Sequence, residues 1–280
     1  MLKIGQYNDL RVIKQVGFGV YLDGGRYGEI LLPRRYVPEG CEVDQQVTVF
    51  IYLDSEDRLI ATTERPYLQV GECALLQVVD TAGAGAFLDW GLPKDLLVPF
   101  SEQETRMVAG RSYVVLAHLD ERTESIIGTS RLSKYLSELG HYLKAGQAVD
   151  LLIYGRSELG YKAVINHTHL GQLYDNETFQ TLQIGQQLSG YIKQVRSDLK
   201  IDLSLQPPGQ GHVISDELSN RILEHLRARG GRSEFTDKTA PELIYQEFQV
   251  SKAQFKRALG LLYKQKQVVL EAGCTRLSEG

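Results

Sequence analysis

The sequence has few of the residues that build disulfide-bonded or metal-stabilised folds. Its 280 residues include three cysteines, Cys41, Cys73 and Cys274, which lie far apart and form no Cys-x-x-Cys pair. This usage argues against a disulfide framework or a zinc site and is consistent with a reducing compartment. No apolar run reaches the roughly 18 residues of a membrane-spanning helix, and the first residues lack the apolar stretch of a signal peptide. We therefore expect a cytoplasmic protein without membrane association, whose cysteines are structural.

The sequence also lacks a strong excess of either charge. Its formal net charge is −4, from 31 Lys and Arg against 35 Asp and Glu. Residues 66–140 are the most acidic segment, with 6 basic and 10 acidic residues, whereas residues 141–210 carry six of each. Residues 211–280 carry 11 basic and 9 acidic residues. Because no global positive field exists, nucleic-acid binding would have to use local groups of basic and aromatic side chains.

No motif that would support catalysis is present. The Gly-x-Ser-x-Gly elbow, the P-loop, the His-Glu-x-x-His motif and the dinucleotide-binding glycine fingerprint are all missing from the sequence. His167 and His169 flank Thr168 and would share one face of a strand, but two histidines alone make a poor metal site. The sequence therefore predicts a protein that is not an enzyme and that binds no cofactor or metal.

What the sequence does contain is an internal repeat. Gly-Val-Tyr-Leu-Asp at 19–23 recurs as Gly-Ala-Phe-Leu-Asp at 85–89, and Glu-Ile-Leu-Leu-Pro at 29–33 recurs as Asp-Leu-Leu-Val-Pro at 95–99. A fainter third copy follows. A repeat of about 65–75 residues is too long for a solenoid unit and is the size of a small domain that folds alone. The period therefore predicts three homologous domains.

Each copy ends in the pattern of a β-hairpin, in which two runs rich in β-branched residues are joined by a polar turn. The paired runs are 47–52 and 58–63, 113–118 and 126–130, and 188–193 and 200–204. Further short strands punctuated by glycine precede each hairpin, and no helical period is present. Five short strands in a unit of this size predict a small closed barrel.

The periodicity becomes helical after residues 206–211, which are rich in proline and glycine and predict a linker. Three helices are predicted, the first capped by Ser215 and ended by Gly230, the second opened by Pro241, and the third capped by Ser251. The side chains expected to face inward are Leu243, Ile244 and Phe248 in the second helix and Phe255, Leu259 and Leu262 in the third. Two short apolar runs, 268–270 and 275–277, would form a two-stranded ribbon. Three helices with such a ribbon describe a winged helix.

The repeated unit resembles the S1 RNA-binding domain. The likeness lies in residues 18–23 and 28–33, and in a final hairpin that ends in a hydroxyl residue. It implies an OB-fold barrel whose nucleic-acid face consists of aromatic and basic residues on strands two, three and five. Such a face binds because bases stack on flat side chains for about 1–3 kcal/mol each, while Lys and Arg neutralise phosphates.

Transferring that face position by position gives candidate RNA-binding residues. They are Phe18, Tyr21 and Arg58 in the first copy, Phe87, Lys94 and Arg131 in the second, and Tyr161, Lys162, Tyr174, Lys193, Arg196 and Lys200 in the third. Lys252, Lys256 and Arg257, on the polar face of the third helix, would be the contacts of the winged helix. The third copy departs most from the pattern, since Leu159 and Lys162 replace both aromatic residues. Core or interdomain packing is the competing explanation for each aromatic side chain.

The chain as a whole resembles the bacterial conserved virulence factor B family. The segments that carry this likeness are 50–63, 155–161, 237–242 and 251–260. The resemblance implies three S1-type barrels, a winged helix, RNA binding and a regulatory role in gene expression.

The predicted architecture is mainly β with a C-terminal α/β part: three tandem five-stranded OB-fold barrels of the S1 type followed by a winged helix. The domains are assigned to 1–65, 66–140, 141–206 and 212–280. We expect a non-enzymatic protein that binds single-stranded RNA with low sequence specificity and acts in post-transcriptional or other regulation of gene expression. Two alternatives stay open: an adaptor docking on the ribosome or RNA polymerase, and a DNA-binding regulator that works through its winged helix.

Overall fold

The computed structural model describes residues 2–120, 123–175, 178, 181–207 and 213–278. The chain divides into two compact units, Met1–Leu136 and Ser137–Gly280. The first unit contains two closed five-stranded barrels, and the second contains a third barrel and a helical domain. The predicted fold class is thereby confirmed. The division into four domains at the boundaries given above stays a prediction.

The three barrels share one topology. Barrel 1 consists of β1 (Tyr7–Val16), β2 (Gly19–Asp23), β3 (Glu29–Pro33), β4 (Gln46–Leu53) and β5 (Leu59–Thr62). Barrel 2 consists of β6 (Cys73–Ala82), β7 (Gly85–Asp89), β8 (Leu96–Pro99), β9 (Ser112–Leu119) and β10 (Ile126–Thr129). Barrel 3 consists of β11 (Ala148–Ser157), β12 (Gly160–Ile165), β13 (His169–Tyr174), β14 (Gln187–Val195) and β15 (Ile201–Ser204). In each, the order around the barrel is first, second, third, fifth and fourth strand, and the third and fifth strands pair in parallel.

Alternation along the strands separates an inner from an outer face. In β2 the side chains of Val20 and Leu22 are buried in the core of barrel 1, whereas Tyr21 between them is only half-buried. The same alternation in β7 buries Ala86 and Leu88. In these strands a side chain therefore points outward where the residues before and after it point into the core.

One glycine in each copy is required by a close backbone contact. Gly19, Gly85 and Gly160 each begin the second strand of a barrel, opposite the end of the third strand. A Cβ atom at Gly160 would lie 2.3 Å from the carbonyl oxygen of Leu173, and φ at this residue is +139°. The equivalent distances at Gly19 and Gly85 are both 2.2 Å. This contact explains why the repeat is anchored on a glycine.

A β-bulge also recurs at one place, in the first strand of every barrel. The ladders shift register between Val12 and Lys14, between Val78 and Asp80, and between Ile153 and Gly155. Bulges bend a strand and increase its twist, which helps a five-stranded sheet to close.

Barrels 1 and 2 share a core inside the first unit. Phe50 and Tyr52 point outward from barrel 1 and are buried in one apolar cluster with Trp90 of barrel 2. The ring centroids of Phe50 and Trp90 are 5.8 Å apart, and those of Tyr52 and Trp90 are 6.4 Å apart, both in edge-on contact. Burial raises the pKa of Tyr52 to about 12. The only tryptophan of the sequence is therefore part of the seam between two barrels.

The helical domain contains α1 (Val213–Ala228), α2 (Pro241–Phe248) and α3 (Lys252–Lys264), with strands β16 (Arg232–Ser233), β17 (Val268–Glu271) and β18 (Cys274–Leu277). The three strands form one sheet in the order β16, β18, β17. The predicted winged helix is confirmed, with a third strand that is too short to give a sequence pattern. The helix α1 begins two residues before the predicted cap at Ser215. Leu243, predicted to face inward, is 52% exposed because the adjacent Ile244 fills that place in the core.

The first turn of α3 is joined to the end of barrel 3. Ser251 and Gln254 form the predicted cap as a full capping box, with the Gln254 amide N–H donating to Ser251 Oγ over 2.9 Å. The Gln254 side-chain amide also exchanges hydrogen bonds with that of Gln206, which follows β15. The start of α3 is therefore held both by its own cap and by the barrel.

Glu102 is a buried carboxylate that ties the end of barrel 2 together. It accepts hydrogen bonds from Lys134 Nζ over 2.6 Å and from the Tyr135 hydroxyl over 3.2 Å. Burial works against ionisation, but these hydrogen bonds and the Lys134 charge outweigh it and lower the pKa of Glu102 below its usual 4.5. The ionised carboxylate thus stabilises the first unit at neutral pH, and this contribution disappears as pH falls through the lowered pKa.

Replacing Gly160 by alanine is expected to destabilise barrel 3 by about 2–3 kcal/mol, since the added methyl group would overlap a carbonyl oxygen. Hydrogen exchange of the β12 and β13 amides measures this locally. Gly155→Ala is the matched control, because its Cβ would approach nothing closer than 3.9 Å. Equal protection in the two variants would contradict the close-contact explanation.

Replacing Glu102 by glutamine is expected to lower the free energy of unfolding by about 1–2 kcal/mol at pH 7. The difference from wild type should shrink as pH falls below 4.5, because the wild-type carboxylate is then progressively protonated. Urea unfolding followed by Trp90 fluorescence measures both effects. Glu104→Gln, at an exposed position two residues away, should leave the unfolding free energy nearly unchanged at either pH.

Candidate nucleic-acid interface

One row of side chains crosses the same four strands on the outside of every barrel, and we call it the outer row. It is defined by the cross-strand register. Its members are Tyr21, Leu31, Ile60 and Tyr52 in barrel 1, Phe87, Leu97, Ile127 and His118 in barrel 2, and Lys162, Gln172, Asp202 and Gln194 in barrel 3. The outer rows of barrels 1 and 2 are mostly apolar, whereas every member in barrel 3 is polar. The three copies therefore present chemically different faces on one scaffold.

Half of the outer row of barrel 1 is covered. Tyr52 and Ile60 pack against the cluster that contains Trp90. Beside them Lys94 donates from Nζ to the carbonyl oxygen of Asp54 over 2.7 Å and pairs with Asp57 Oδ1 at 3.0 Å. Lys94, predicted to contact RNA, joins barrel 2 to the hairpin turn of barrel 1. Its side chain remains 38% exposed, so RNA contact by Lys94 stays a prediction.

The other half of this row, Tyr21 and Leu31, is half-buried, and Phe18 lies beside it. Phe18 is 60% exposed, and its ring contacts that of Tyr21 edge-on with centroids 6.3 Å apart. Lys14 Nζ lies 5.4 Å from the centre of the Tyr21 ring. Arg34 lies next to them, because its backbone N–H donates to the Phe18 carbonyl over 2.8 Å, and it is exposed. The two aromatic side chains thus lie beside two cations, Lys14 and Arg34, which sequence reasoning missed although Arg34 directly follows the repeated proline.

Arg58 is placed in the hairpin turn of barrel 1, next to carboxylates. It pairs with Asp54 and with Glu56, each over 2.8 Å. In barrel 3 the residues at the equivalent turn positions are Arg196 and Lys200, since the same backbone hydrogen bond closes both turns. An acidic residue at the first of these positions in barrel 1 is therefore replaced by a basic one in barrel 3.

The outer row of barrel 2 is apolar and partly covered. Phe87 is half-buried, and Ile127 is buried. His118 stacks on Tyr135 with ring centroids 4.3 Å apart. Arg131, the remaining candidate of this copy, is exposed just beyond β10. Of the three candidates in this copy, one is thus a half-buried ring in the outer row, and the exposed cation lies beyond it.

Barrel 3 carries an open groove of about 280 Å³ on the face that contains its outer row. Four of the predicted residues line it, namely Lys162, Tyr174, Arg196 and Lys200. The other lining residues are Glu138, Tyr154, Leu159, Leu170, Gly171, Gln172, Ile201 and Asp202. The groove therefore combines two tyrosine rings, three cations and two carboxylates. Tyr174 and the three cations lie on strands two and three and in the hairpin turn that leads to strand five, on or beside the strands that the S1 resemblance indicated.

Arg196 is held in place by its neighbours in this groove. Its guanidinium pairs with Asp198 through two hydrogen bonds of 3.1 and 2.7 Å, and it donates to the Tyr174 hydroxyl over 3.3 Å. Hydrogen bonding from Arg196 is the main reason that the pKa of Asp198 is lowered. Arg196 thus orients Tyr174, which lines the groove, while it remains partly exposed.

Two candidates of the third copy are not in the groove. Tyr161 is 5% exposed and belongs to the barrel core, where its hydroxyl accepts a hydrogen bond from the Leu182 N–H over 3.2 Å. Its prediction as an RNA contact is wrong: Tyr161 occupies the inward position of Val20, one residue after the repeated glycine. Lys193 is exposed on β14 but does not line the groove.

The candidates on α3 lie on its outer side. Lys256 and Arg257 are exposed, whereas Lys252 is half-buried and donates to the Lys238 carbonyl over 3.4 Å. Phe255 between them is fully buried in the domain core. This helix face therefore has two exposed cations and one that is partly engaged.

The two histidines that flank Thr168 do not share a strand face. His167 lies in a left-handed turn with φ of +58°, and β13 begins only at His169. His169 Nδ1 is 2.9 Å from the Thr168 hydroxyl, and burial lowers the pKa of His169. Within the described ranges, no three metal-ligating side chains are grouped. The helices described there also include none that is long and apolar enough to cross a membrane.

Two segments of the chain match known domain families. Residues 4–64 match the S1 domain, and residues 220–277 match the CvfB-like winged helix domain. Both are families of nucleic-acid-binding domains and neither is a family of enzymes. The domain content therefore suggests that the protein binds nucleic acid.

Similar proteins cover almost the whole chain. The uncharacterized protein YitL of Bacillus subtilis (strain 168) is 31% identical over an alignment of 288 positions. The alignment covers 98% of this chain and 93% of that protein. Conserved virulence factor B of Staphylococcus saprophyticus is 25% identical over 293 residues, spanning 99% of this chain and 95% of its own. A solved multidomain protein with nucleic acid binding domains from Streptococcus pneumoniae is 22% identical, covers 98% of both chains and has a TM-score of 0.41. Full-length similarity to YitL and to conserved virulence factor B, together with the matching winged helix, shows that the protein belongs to the conserved virulence factor B family.

Proposed function

We propose that this protein binds single-stranded RNA with low sequence specificity, and that barrel 3 provides the main binding surface. The observation that supports this most directly is the groove that Lys162, Arg196 and Lys200 line together with Tyr174. Flat rings beside cations suit a flexible polyanion, because the bases stack while the phosphates are neutralised. The binding requires no catalysis and no cofactor.

Barrel 1 supplies a second, weaker contact. Phe18 and Tyr21 form a partly exposed aromatic surface flanked by Lys14 and Arg34. Two modest sites in one chain increase overall affinity when one RNA reaches both, since the second contact becomes intramolecular. Lys256 and Arg257 on α3 are a further candidate contact of this kind. On the strength of the family resemblance we propose a cytoplasmic role in post-transcriptional regulation of gene expression.

Replacing Lys162 and Lys200 by alanine is expected to weaken binding of a labelled oligo-RNA about tenfold at low salt. The slope of log affinity against log salt should also become shallower by about 1.4, because each phosphate contact on a single strand contributes about 0.7. Fluorescence titrations at several salt concentrations measure both quantities. The control is Lys3→Ala with Lys144→Ala, which removes two exposed lysines that do not line the groove. Equal losses in the two double variants would remove barrel 3 from the proposed binding surface.

Replacing Phe18 by alanine is expected to weaken the same RNA about fivefold and to leave the salt slope unchanged, because a base would lose its stacking partner but no charge is removed. Tyr67→Ala is the matched control. Tyr67 is similarly exposed, at 63%, but is not part of the Phe18–Tyr21 aromatic pair. If both variants bound like wild type, barrel 1 would have no part in binding.

A further inference from the structure

The outer row of barrel 3 places donors and acceptors side by side. Lys162, Gln172 and Asp202 are direct neighbours on three adjacent strands, which are spaced about 4.8 Å apart in a sheet. All three line the groove. An ammonium group donates only, an amide both donates and accepts, and a carboxylate accepts only. The row therefore changes from a donor at Lys162, through a side chain that both donates and accepts at Gln172, to an acceptor at Asp202. The mostly apolar rows of the other two barrels have no such order.

Asp202 is the unusual member of this row. Its side chain is 7% exposed, and one carboxylate oxygen accepts a hydrogen bond from Gln194 Nε2 over 2.7 Å. The other oxygen, Oδ1, is buried and accepts no hydrogen bond from the residues that the structure describes. A buried acceptor without a donor is costly, and native structures retain few of them. Asp202, which lines the groove, thus has one strong acceptor atom, Oδ1, to which none of the described residues donates a hydrogen bond.

The nearest described cation is too far from that oxygen to donate a hydrogen bond to it. Arg196 Nε lies 4.0 Å from Oδ1, beyond hydrogen-bonding distance, while the same guanidinium is bound to Asp198 in the hairpin turn. Arg196 is on the surface and is 36% exposed. A phosphate that drew the guanidinium away from Oδ1 would open this oxygen to the groove, which Asp202 lines.

We propose that the groove of barrel 3 selects a guanine base at one position of the bound RNA, with Asp202 accepting hydrogen bonds from its Watson–Crick edge. In this arrangement Gln172 or Lys162 donates to the guanine O6 oxygen, and Tyr174, which lines the groove, is the stacking surface. Asp202 is then a specificity-determining residue in a protein that otherwise tolerates many sequences. The inference rests on the proposed RNA-binding function and extends it.

Guanine fits this row better than the other bases do. Its edge carries two adjacent N–H donors beside one carbonyl acceptor, the complement of a carboxylate beside an amide or ammonium donor. Uracil presents one donor between two acceptors, so a carboxylate would face at least one lone pair. Adenine and cytosine each present one amino group beside a ring-nitrogen acceptor, which satisfies the carboxylate only in part.

The experiment compares RNAs that differ at one base, using the full chain. The probe is an oligouridine of about twelve nucleotides that carries one central guanosine, adenosine or cytidine, or none. The guanosine RNA should bind wild type about tenfold more tightly than plain oligouridine, and Asp202→Asn should reduce this preference to about twofold or less. Asp198→Asn is the matched control: it removes the same charge and also releases Arg196, but lies outside the groove lining, so the preference should persist.

The outcomes separate the two proposals. Equal affinity of wild type for all four RNAs would overturn base selection while leaving RNA binding intact, and this comparison requires no variant to fold. A guanosine preference that survives Asp202→Asn would assign the selection to other residues and would also overturn it. Failure of wild type to bind any of the RNAs would refute the proposed function itself.

Discussion

The structure depends on the close approach of two backbones at the start of the second strand of each barrel. Where Gly19, Gly85 and Gly160 meet the third strand, a carbonyl oxygen lies where a Cβ atom would be. This contact fixes the register of the second strand, and the register decides which side chains point outward. The location of Tyr21, Phe87 and Lys162 on the outside follows from it. What each barrel can bind is therefore a consequence of where one glycine is placed.

The fate of each outward side chain depends on what covers it. In barrel 1 the seam with barrel 2 covers Tyr52 and Ile60 but leaves Tyr21 half-buried. In barrel 3 the corresponding residues are polar, and two of them, Lys162 and Asp202, border a groove. The hairpin turn begins with Asp54 in barrel 1 and with Arg196 in barrel 3. Barrel 3 therefore has positive charge where barrel 1 has negative charge. Small substitutions on a constant frame thus convert a packing surface into one suited to a polyanion.

The sequence permitted prediction of the repeat, the hairpins, the barrel architecture and the capping of α3, because each depends on local spacing. Tyr161 could have been assigned to the core as well, since it follows the repeated glycine at the position of Val20. The engagement of Lys94 was beyond sequence reasoning, because its partners are 37 and 40 residues away on another barrel. The same holds for Asp202, whose significance depends on a groove formed by three strands. Long-range packing, rather than secondary structure, limited the prediction of the site.

The apolar outer rows of barrels 1 and 2 have a bearing on how such a chain can be divided. Separating barrel 1 from barrel 2 would uncover Phe50, Tyr52 and Trp90 together, an aromatic patch of the kind that drives self-association. The outer row of barrel 3, by contrast, is polar. Barrel 1 alone would therefore be prone to aggregate, and a duplication that copied only the first barrel would have carried this liability with it.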